Sequence, residues 1–263
     1  MLERIIEAKK NEVAKLQLKS LPDKRNNISQ SGSFCRALQK DQNRVAIIAE
    51  VKNGSPSKGK FNHRYKAAEL ASIYEKNGAA AISVITDQDF FYGNKRYIQE
   101  VKSVTQMPVL RKDFIIHELQ IYESLFLGAD AVLLIAAILE YKLLIKLMKL
   151  CEDLGLASLL EVHDSEDLKK VLDTPVQFVG INNRNLRNFK VSLENSIELA
   201  HKIPSSCFKI SESGINQPRD LSILETHGFQ AALIGEALVT STHPDSKLRE
   251  LTNYDKREEG YGL

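Results

Sequence analysis

Eight short apolar runs, separated by helical stretches, recur along the chain and restrict its possible folds more than any other feature. A continuous apolar run of strand length is typical of a parallel strand that is buried on both faces. Strands that alternate with helices predict a parallel sheet covered by helices. The runs lie at residues 45–51, 80–85, 108–112, 131–136, 157–162, 177–182, 207–212 and 231–235.

Glycines mark the ends of four of the intervening helical stretches, as expected for the common left-handed C-cap. These stretches span residues 67–77, 118–127, 139–154 and 218–227, and the glycines are Gly78, Gly128, Gly155 and Gly228. Eight strand–helix units within 263 residues favour a closed (β/α)8 TIM barrel, an α/β fold. The alternative is an open doubly wound sheet, but no Gly-x-Gly-x-x-Gly follows the first run to support its dinucleotide-binding form.

Two helical segments precede the repeating pattern. Residues 1–18 place apolar side chains among charges in an amphipathic pattern, and residues 33–39 predict a second short helix with Ser33 as its N-cap. We therefore expect a single domain over residues 1–263. It would comprise an N-terminal helical extension at 1–40, the barrel at 45–251 and a loosely held polar tail at 252–263.

The charge balance and the cysteines limit the classes of partner. A net charge of +2 gives no argument for nucleic acid or a membrane surface. Three widely spaced cysteines fit a reducing compartment better than a disulfide framework or a zinc site. We expect a cytoplasmic protein, monomeric or weakly homo-oligomeric, that binds a small phosphorylated molecule and neither nucleic acid nor membrane.

Ionisable residues stand where several of the apolar runs end. Because the active sites of such barrels lie at the C-terminal ends of the strands, these side chains are expected at one rim. Charges that only solvate loop starts would explain one such residue better than five on four strands, since buried charge must be paired or functional. A lysine beside carboxylates can donate a proton that a carboxylate can accept. The five are Glu50, Lys52, Lys112, Glu161 and Glu212.

Two further groups of residues suggest the ends of a substrate pocket. Gly214 and Gly235 follow the seventh and eighth runs, where this fold commonly binds phosphate, although each alone is better explained as a turn glycine. Ser55, Lys52 and Arg184 offer further donors. An apolar wall for an aromatic ring would consist of Phe90, Phe91, Phe114, Leu133, Ile135 and Phe189, each of which alone is better explained by packing.

His163 alternates with Glu161 onto the same side of its strand, but packing is the favoured interpretation of this histidine. No cluster of His, Asp and Glu has the spacing of metal ligands. Residues 54–59 lack the order of a P-loop. We therefore expect neither a metal nor an organic cofactor.

The rim residues, in their order along the chain, resemble those of the indole-3-glycerol phosphate synthase family. The similarity extends from the first helix to about residue 251, and its motifs are long and specific. They are Ile48-Ala49-Glu50-Val51-Lys52, Ser55-Pro56-Ser57-Lys58-Gly59, residues 79–87 with Phe90-Phe91, Pro108-Val109-Leu110-Arg111-Lys112-Asp113-Phe114, Leu160-Glu161-Val162-His163, residues 180–186, Ser211-Glu212-Ser213-Gly214-Ile215 and residues 233–238.

The resemblance implies an N-terminally extended barrel that converts 1-(2-carboxyphenylamino)-1-deoxyribulose 5-phosphate to indole-3-glycerol phosphate without a cofactor. It implies that Lys112 is the general acid for ring closure and Glu161 the acid/base for dehydration. Lys52 would contact the substrate carboxylate and assist proton transfer, with Glu50 holding the lysines. Asn182 and Glu212 would bind and orient the substrate. The phosphate end would be formed by Ser213, Gly214, Gly235 and Glu236, and the anthranilate pocket by the six apolar residues named above.

Some features leave other readings open. The segment at 60–66 is more basic than its counterpart in many relatives, which puts the closure of that loop in question. Another phosphate-sugar barrel enzyme, such as phosphoribosylanthranilate isomerase, would need a catalytic cysteine and aspartate at strand ends. A barrel that binds a phosphorylated ligand without catalysis is the third reading, against which the intact set of rim residues speaks.

Overall fold

The computed structural model describes residues 1–16, 32–39, 44–61, 65–185 and 190–254. Its strands are β1 (Ala46–Val51), β2 (Gly54–Ser55), β3 (Gly59–Lys60), β4 (Ala81–Ile85), β5 (Val109–Lys112), β6 (Ala131–Ile135), β7 (Ala157–Val162), β8 (Phe178–Asn182), β9 (Phe208–Glu212) and β10 (Ala231–Ile234). Its helices are α1 (Leu2–Val13), α2 (Ser33–Leu38), α3 (Ala67–Lys76), α4 (Arg96–Lys102), α5 (Glu118–Leu127), α6 (Tyr141–Asp153), α7 (Ser165–Leu172), α8 (Glu194–Ala200), α9 (Pro218–Thr226), α10 (Glu236–Val239) and α11 (Pro244–Thr252).

Eight of the strands close into a parallel barrel in the order β1, β4, β5, β6, β7, β8, β9 and β10. The closing pair is β1 with β10, in which Ala46 lies opposite Ala231. The predicted (β/α)8 barrel is therefore confirmed, and an open sheet is excluded. Each of the eight predicted runs corresponds to one strand, with ends that differ by one residue at most.

A small antiparallel hairpin, β2 with β3, stands above the end of β1 and was not predicted. It carries the segment that follows Lys52 over the rim. Residues 62–64 of the unusually basic 60–66 segment lie outside the described residues.

Helix α2 closes the N-terminal end of the barrel. Its Phe34 and Leu38 are buried with the inward-facing strand residues, and the Phe34 ring meets Phe178 edge-on at 5.6 Å between centroids. The prediction that Ser33 is the N-cap is wrong. Gly32, with φ of 87°, holds that position, and the Ser33 hydroxyl donates instead to Asp130. Because this end is filled, the opposite end remains for a site.

Helix α1 lies at that opposite end and is fixed there by a buried lysine. The Lys9 side chain is only 3% exposed, and its Nζ lies 2.7 Å from Asp113 Oδ1, 3.1 Å from Asp87 Oδ2 and 2.8 Å from Glu12 Oε2. Burial would lower the pKa of Lys9, but Asp113 and Asp87 outweigh it and raise that pKa above its ordinary value. Lys9 is therefore charged wherever the protein is folded at neutral pH.

The Lys9 contacts belong to a closed circuit of ion pairs, called here the charge ring. Arg111 is a residue of β5 whose side chain is fully buried, and it contacts both Asp113 and Glu123. Lys95 contacts both Glu123 and Glu12, and so links the circuit back to α1. Burial raises the pKa of Asp113, but Arg111 and Lys9 outweigh it and hold that pKa well below its usual range. The charge ring consists of Lys9, Glu12, Lys95, Glu123, Arg111 and Asp113.

The C-terminal segment is packed further than expected. Thr252 is the last residue of α11, and Tyr254 is buried, with its hydroxyl accepting from the Val45 N–H and donating to Glu225. The predicted loose tail at 252–263 is therefore packed as far as Tyr254, and residues 255–263 lie outside the described residues. Within the described ranges, no helix has the length and apolar character needed to cross a membrane.

Removal of the Lys9 charge tests the anchoring of α1. We expect Lys9→Met to lower the free energy of unfolding by about 3–5 kcal/mol at neutral pH, since it leaves buried carboxylates without their cation. The exposed neighbour Lys10, whose nearest acidic atom is 3.8 Å away on Glu7, offers the control Lys10→Met. Urea unfolding monitored by circular dichroism measures both.

The pH dependence of that deficit has a definite sign. Without Lys9, the folded variant binds protons on Asp87 and Asp113 more readily than the folded wild type does. Acidification therefore stabilises the folded state of the variant relative to that of the wild type. The difference between the two proteins should therefore shrink as pH falls from ~7 towards ~4, near the ordinary aspartate pKa. A deficit that is constant over this range would contradict the electrostatic account.

Candidate active site

A cavity of about 410 Å³ opens at the C-terminal end of the barrel. Its volume lies within the range of roughly 300–1,000 Å³ that is usual for small-molecule sites. Sixteen of the eighteen residues singled out from the sequence line it: Glu50, Lys52, Ser55, Phe91, Lys112, Phe114, Leu133, Ile135, Glu161, Asn182, Arg184, Glu212, Ser213, Gly214, Gly235 and Glu236. The two others are Phe90 and Phe189.

Lys112 is the central cation of the cavity. It ends β5 and points inward because Arg111, one residue earlier, points outward into the charge ring. Its Nζ lies 3.3 Å from Glu161 Oε2 and 3.6 Å from Glu212 Oε2. Burial would lower the pKa of Lys112, but Glu161, Glu212 and Glu50 outweigh it and raise that pKa above its ordinary value. Lys112 is therefore protonated at neutral pH and able to act as an acid.

Glu161 and Glu212 are both glutamates, but their surroundings shift their pKa values in opposite directions. Burial raises the pKa of Glu161, but Lys112, His163 and Asn182 together hold it well below its usual range. For Glu212, burial and the charge of Glu161 raise the pKa, and its oxygens accept no hydrogen bond from any described residue. Two carboxylates whose pKa values are pushed apart in this way are typical of an acid–base site.

Two glycines make room for the carboxylates. A Cβ on Gly180 would overlap Oε1 of Glu212, and a Cβ on Gly235 would overlap Oε2 of Glu50. Gly235 was predicted from its position after the last strand as a phosphate ligand. The structure adds that its missing side chain is what allows Glu50 to occupy the barrel mouth.

Glu50 and Lys52 face the same side of β1, as the alternation of strand side chains predicts. Lys52 Nζ lies 3.6 Å from Glu50 Oε2 and 5.9 Å from the centroid of the Phe61 ring. Glu50 also contributes to the raised pKa of Lys112. One carboxylate thus lies within the electrostatic reach of both lysines.

The end of the cavity near β9 and β10 combines backbone turns with cations. Ser213 and Gly214 have φ of 70° and 79°, consecutive left-handed residues that turn the chain sharply after β9. The carboxylate of Glu236 forms ion pairs with Arg184, at 3.7 Å, and with Lys58, a cation that the sequence analysis did not single out.

The apolar side of the cavity agrees only partly with the predicted set. Phe91 and Phe114 line it with ring centroids 6.0 Å apart, but Phe90 does not. The reason is a turn in which the N–H groups of Phe90 and Phe91 both donate to Asp87 Oδ1, which brings Phe91 to the cavity wall. Phe189 lies outside the described residues.

Helix α1 contributes to the cavity wall in a way that the sequence did not reveal. Met1, Leu2 and Ile5 line the cavity opposite the strands. The amphipathic pattern predicts an apolar face on α1, but only the anchoring of Lys9 places that face over the barrel mouth.

Comparison with known proteins identifies the family of the chain. The model of the family "Indole-3-glycerol phosphate synthase" matches residues 2–251. The chain belongs to this family. It is 43% identical to the indole-3-glycerol phosphate synthase of Endomicrobium trichonymphae over 260 residues, covering 95% of this chain and 99% of that one. Identity to the synthase of Alkaliphilus metalliredigens is 40% over 255 residues, covering 95% and 97%.

Solved structures show the fold at a lower level of similarity. KGPDC from Streptococcus mutans superposes with a TM-score of 0.60 at 13% identity, covering 82% of this chain and 100% of that one. At that identity the likeness supports the barrel architecture alone.

Membership of the family disfavours the alternatives left open by the sequence. The positions of the cysteines agree, because an isomerase of the kind considered would need a cysteine at the rim. Cys35 lies on α2 at the filled end, Cys151 is buried on α6, and Cys207 is buried just before β9. None of the three lines the cavity.

Substitution of Gly180 tests the fit of Glu212 in this family member. We expect Gly180→Ala to lower the melting temperature clearly in the wild-type background, because its Cβ and the Glu212 carboxylate cannot share the space. In a Glu212→Ala background the same substitution should lower the melting temperature far less. The remaining effect would come from the close approach of the new Cβ to Leu159. A double-mutant cycle by thermal unfolding measures this coupling. Equal costs in both backgrounds would contradict it.

Proposed function

We propose that this chain is a cytoplasmic enzyme of tryptophan biosynthesis that converts 1-(2-carboxyphenylamino)-1-deoxyribulose 5-phosphate to indole-3-glycerol phosphate, carbon dioxide and water. The observation that carries the proposal is Lys112, a half-buried ammonium group between Glu161, whose pKa is lowered, and Glu212, whose pKa is raised. Ring closure at a ketone needs an acid, and the later loss of water needs both an acid and a base.

The two ends of the cavity suggest how the substrate lies. The aromatic ring would rest against Phe91, Phe114 and the apolar face of α1, where no charge would have to be desolvated. The phosphate would take the end near Ser213 and Gly214, with Arg184 and Lys58, the two cations that form ion pairs with Glu236, as its partners. This orientation leaves the ketone between the ends, near Lys112.

Ring closure would begin with Lys112. The ring carbon that bears the carboxylate attacks the ketone carbon, and the carbonyl oxygen takes a proton from the Lys112 ammonium group. Loss of carbon dioxide returns its bonding electrons to the ring and restores aromaticity. Lys52, paired with Glu50, is placed to hold the carboxylate until it leaves, and a site closed from water favours that step.

Dehydration would use Glu161. The hydroxyl leaves as water with a proton from Lys52, while ionised Glu161 accepts the proton from the adjacent carbon. Two protons are thus given and one is taken, which matches the net uptake of one proton when a carboxylate becomes carbon dioxide. Asn182, whose side chain bonds Glu161 and accepts from the Arg184 N–H, would keep the base oriented.

The direct test is to add the carboxyphenylamino-deoxyribulose phosphate to purified protein and follow indole fluorescence. Product formation is the expected result. Well-folded protein that forms no indole-3-glycerol phosphate would refute the proposal, whichever residue roles are assumed.

Substitution of the acid and the base tests their roles. We expect Lys112→Ala and Glu161→Gln each to lower kcat by about 100-fold or more while KM changes by a few-fold, as removal of a general acid or base does. Circular dichroism serves as the control for folding. Either variant with wild-type turnover would remove that residue from the mechanism.

Arg184 is expected to act in binding. Arg184→Ala should raise KM by about tenfold with kcat nearly unchanged, because a phosphate contact is equally strong before and during the chemistry. The exposed Arg96, which begins α4 away from the cavity, provides the control Arg96→Ala. A loss confined to kcat would assign Arg184 to the chemical step instead.

A further inference from the structure

His163 lies directly behind Glu161, outside the cavity lining. Its side chain is 8% exposed, with Nε2 3.1 Å from Glu161 Oε1 and Nδ1 3.5 Å from Asp167 Oδ2. Neither contact meets the full geometry of a hydrogen bond, and no other described residue bonds the ring nitrogens. The imidazole thus lies between two carboxylates, each close enough to a ring nitrogen to stabilise a positive charge on it.

The surroundings hold the backbone of His163 in place beside the Asp167 carboxylate. The carboxylate of Asp167, in the first turn of α7, also accepts the backbone N–H of His163 at 3.1 Å. The Asp167 N–H is in turn capped by Asp164, and Asn195 of α8 donates to the His163 carbonyl. The histidine is therefore fixed from both neighbouring helices.

The charges around the ring favour an imidazolium. The carboxylates of Asp167 and Glu161 lie against its two nitrogens. Burial would lower the pKa of His163, but Asp167 and Glu161 outweigh it and raise that pKa to about 9. His163 is therefore positively charged at neutral pH and faces Glu161 Oε1, while Lys112 faces Oε2.

We propose that His163 is a positioning residue whose positive charge holds Glu161 Oε1 and keeps Glu161 ionised, so that Oε2 remains on the cavity side beside Lys112 as the base. This role rests on the proposed function, because it concerns the base of that reaction. A neutral side chain of similar size that forms hydrogen bonds, such as glutamine, cannot supply this positive charge. A role that depends on the charge can therefore be distinguished from a role in packing.

The groups that face His163 determine how pH acts on it. They are Glu161 on its own strand, Asp167 and the capping Asp164 on α7, Asn195 on α8, and Glu212 on β9, with Lys112 beyond Glu161. The raised pKa means that the imidazolium is present below about pH 9 and lost above it. Turnover should therefore fall on the alkaline side, because Glu161 stays ionised there but its Oε1 loses the charge that holds it.

Kinetics of two variants test the role. His163→Gln should lower kcat by about tenfold at neutral pH, the size of effect that orienting partners commonly have, with KM nearly unchanged. The acidic limb of its kcat profile should move to higher pH, because Glu161 loses a charge that lowers its pKa. Asp167→Asn keeps the acceptor for the backbone N–H but lowers the pKa of His163, so its alkaline limb should move to lower pH.

The control is His201→Gln, an exposed histidine that follows α8 and has no contact with Glu161, which should leave both limbs in place. A His163→Gln variant with the turnover and pH profile of wild type would overturn the proposal. So would a uniform loss of activity with both limbs unmoved, since that is what a purely structural role predicts.

A titration by NMR separates this proposal from the proposed function. The imidazole signal that His163→Gln removes should titrate near pH 9 in the wild-type protein and at lower pH in Glu161→Gln. A value near the ordinary ~6.5 in wild type would overturn the role of His163 whether or not the protein forms product. The expected titration without product formation would instead refute the reaction and leave the charge on His163 established.

Discussion

Charge compensation among the buried carboxylates of the barrel mouth is the constraint on which the rest of the structure depends. An isolated buried carboxylate is unfavourable, and it persists only where cations face it. Lys112 provides that compensation for Glu161 and Glu212 at the centre of the cavity. Gly180 on β8 and Gly235 just after β10 are glycines because the carboxylates of Glu212 and Glu50 occupy the space that a Cβ would need, so two backbone positions follow from the same requirement.

Strand periodicity explains why so much of the fold and the site could be predicted from the sequence. Alternation places Glu50 and Lys52 on one side of β1, and closure of the barrel brings the ends of all eight strands together. The grouping of residues at the strand ends can therefore be predicted without any knowledge of side-chain packing. The same argument does not predict the position of α1. That position depends on ion pairs of Lys9 with Asp87 and Asp113, which lie about eighty and one hundred residues away in the chain.

Local geometry accounts for the predictions that were wrong. Ser33 has the chemistry of an N-cap, but a left-handed glycine immediately before it already turns the chain. Phe90 and Phe91 look equivalent in the sequence, and only the turn around Asp87 distinguishes which of them faces the cavity. The difference between Glu161 and Glu212 is similarly invisible to sequence pattern, because it arises from the charges that each one meets in space.

The charge ring has a consequence for the order in which the protein assembles. All its members come from residues 9–123, whereas Glu161, Asn182 and Glu212 come from the second half of the chain. Because synthesis proceeds from the N-terminus, a growing chain holds every contact that seats α1 before it holds the carboxylates that surround Lys112. The residues that seat the cover over the barrel mouth are thus synthesised before Glu161, Asn182 and Glu212, which complete the catalytic groups beneath it.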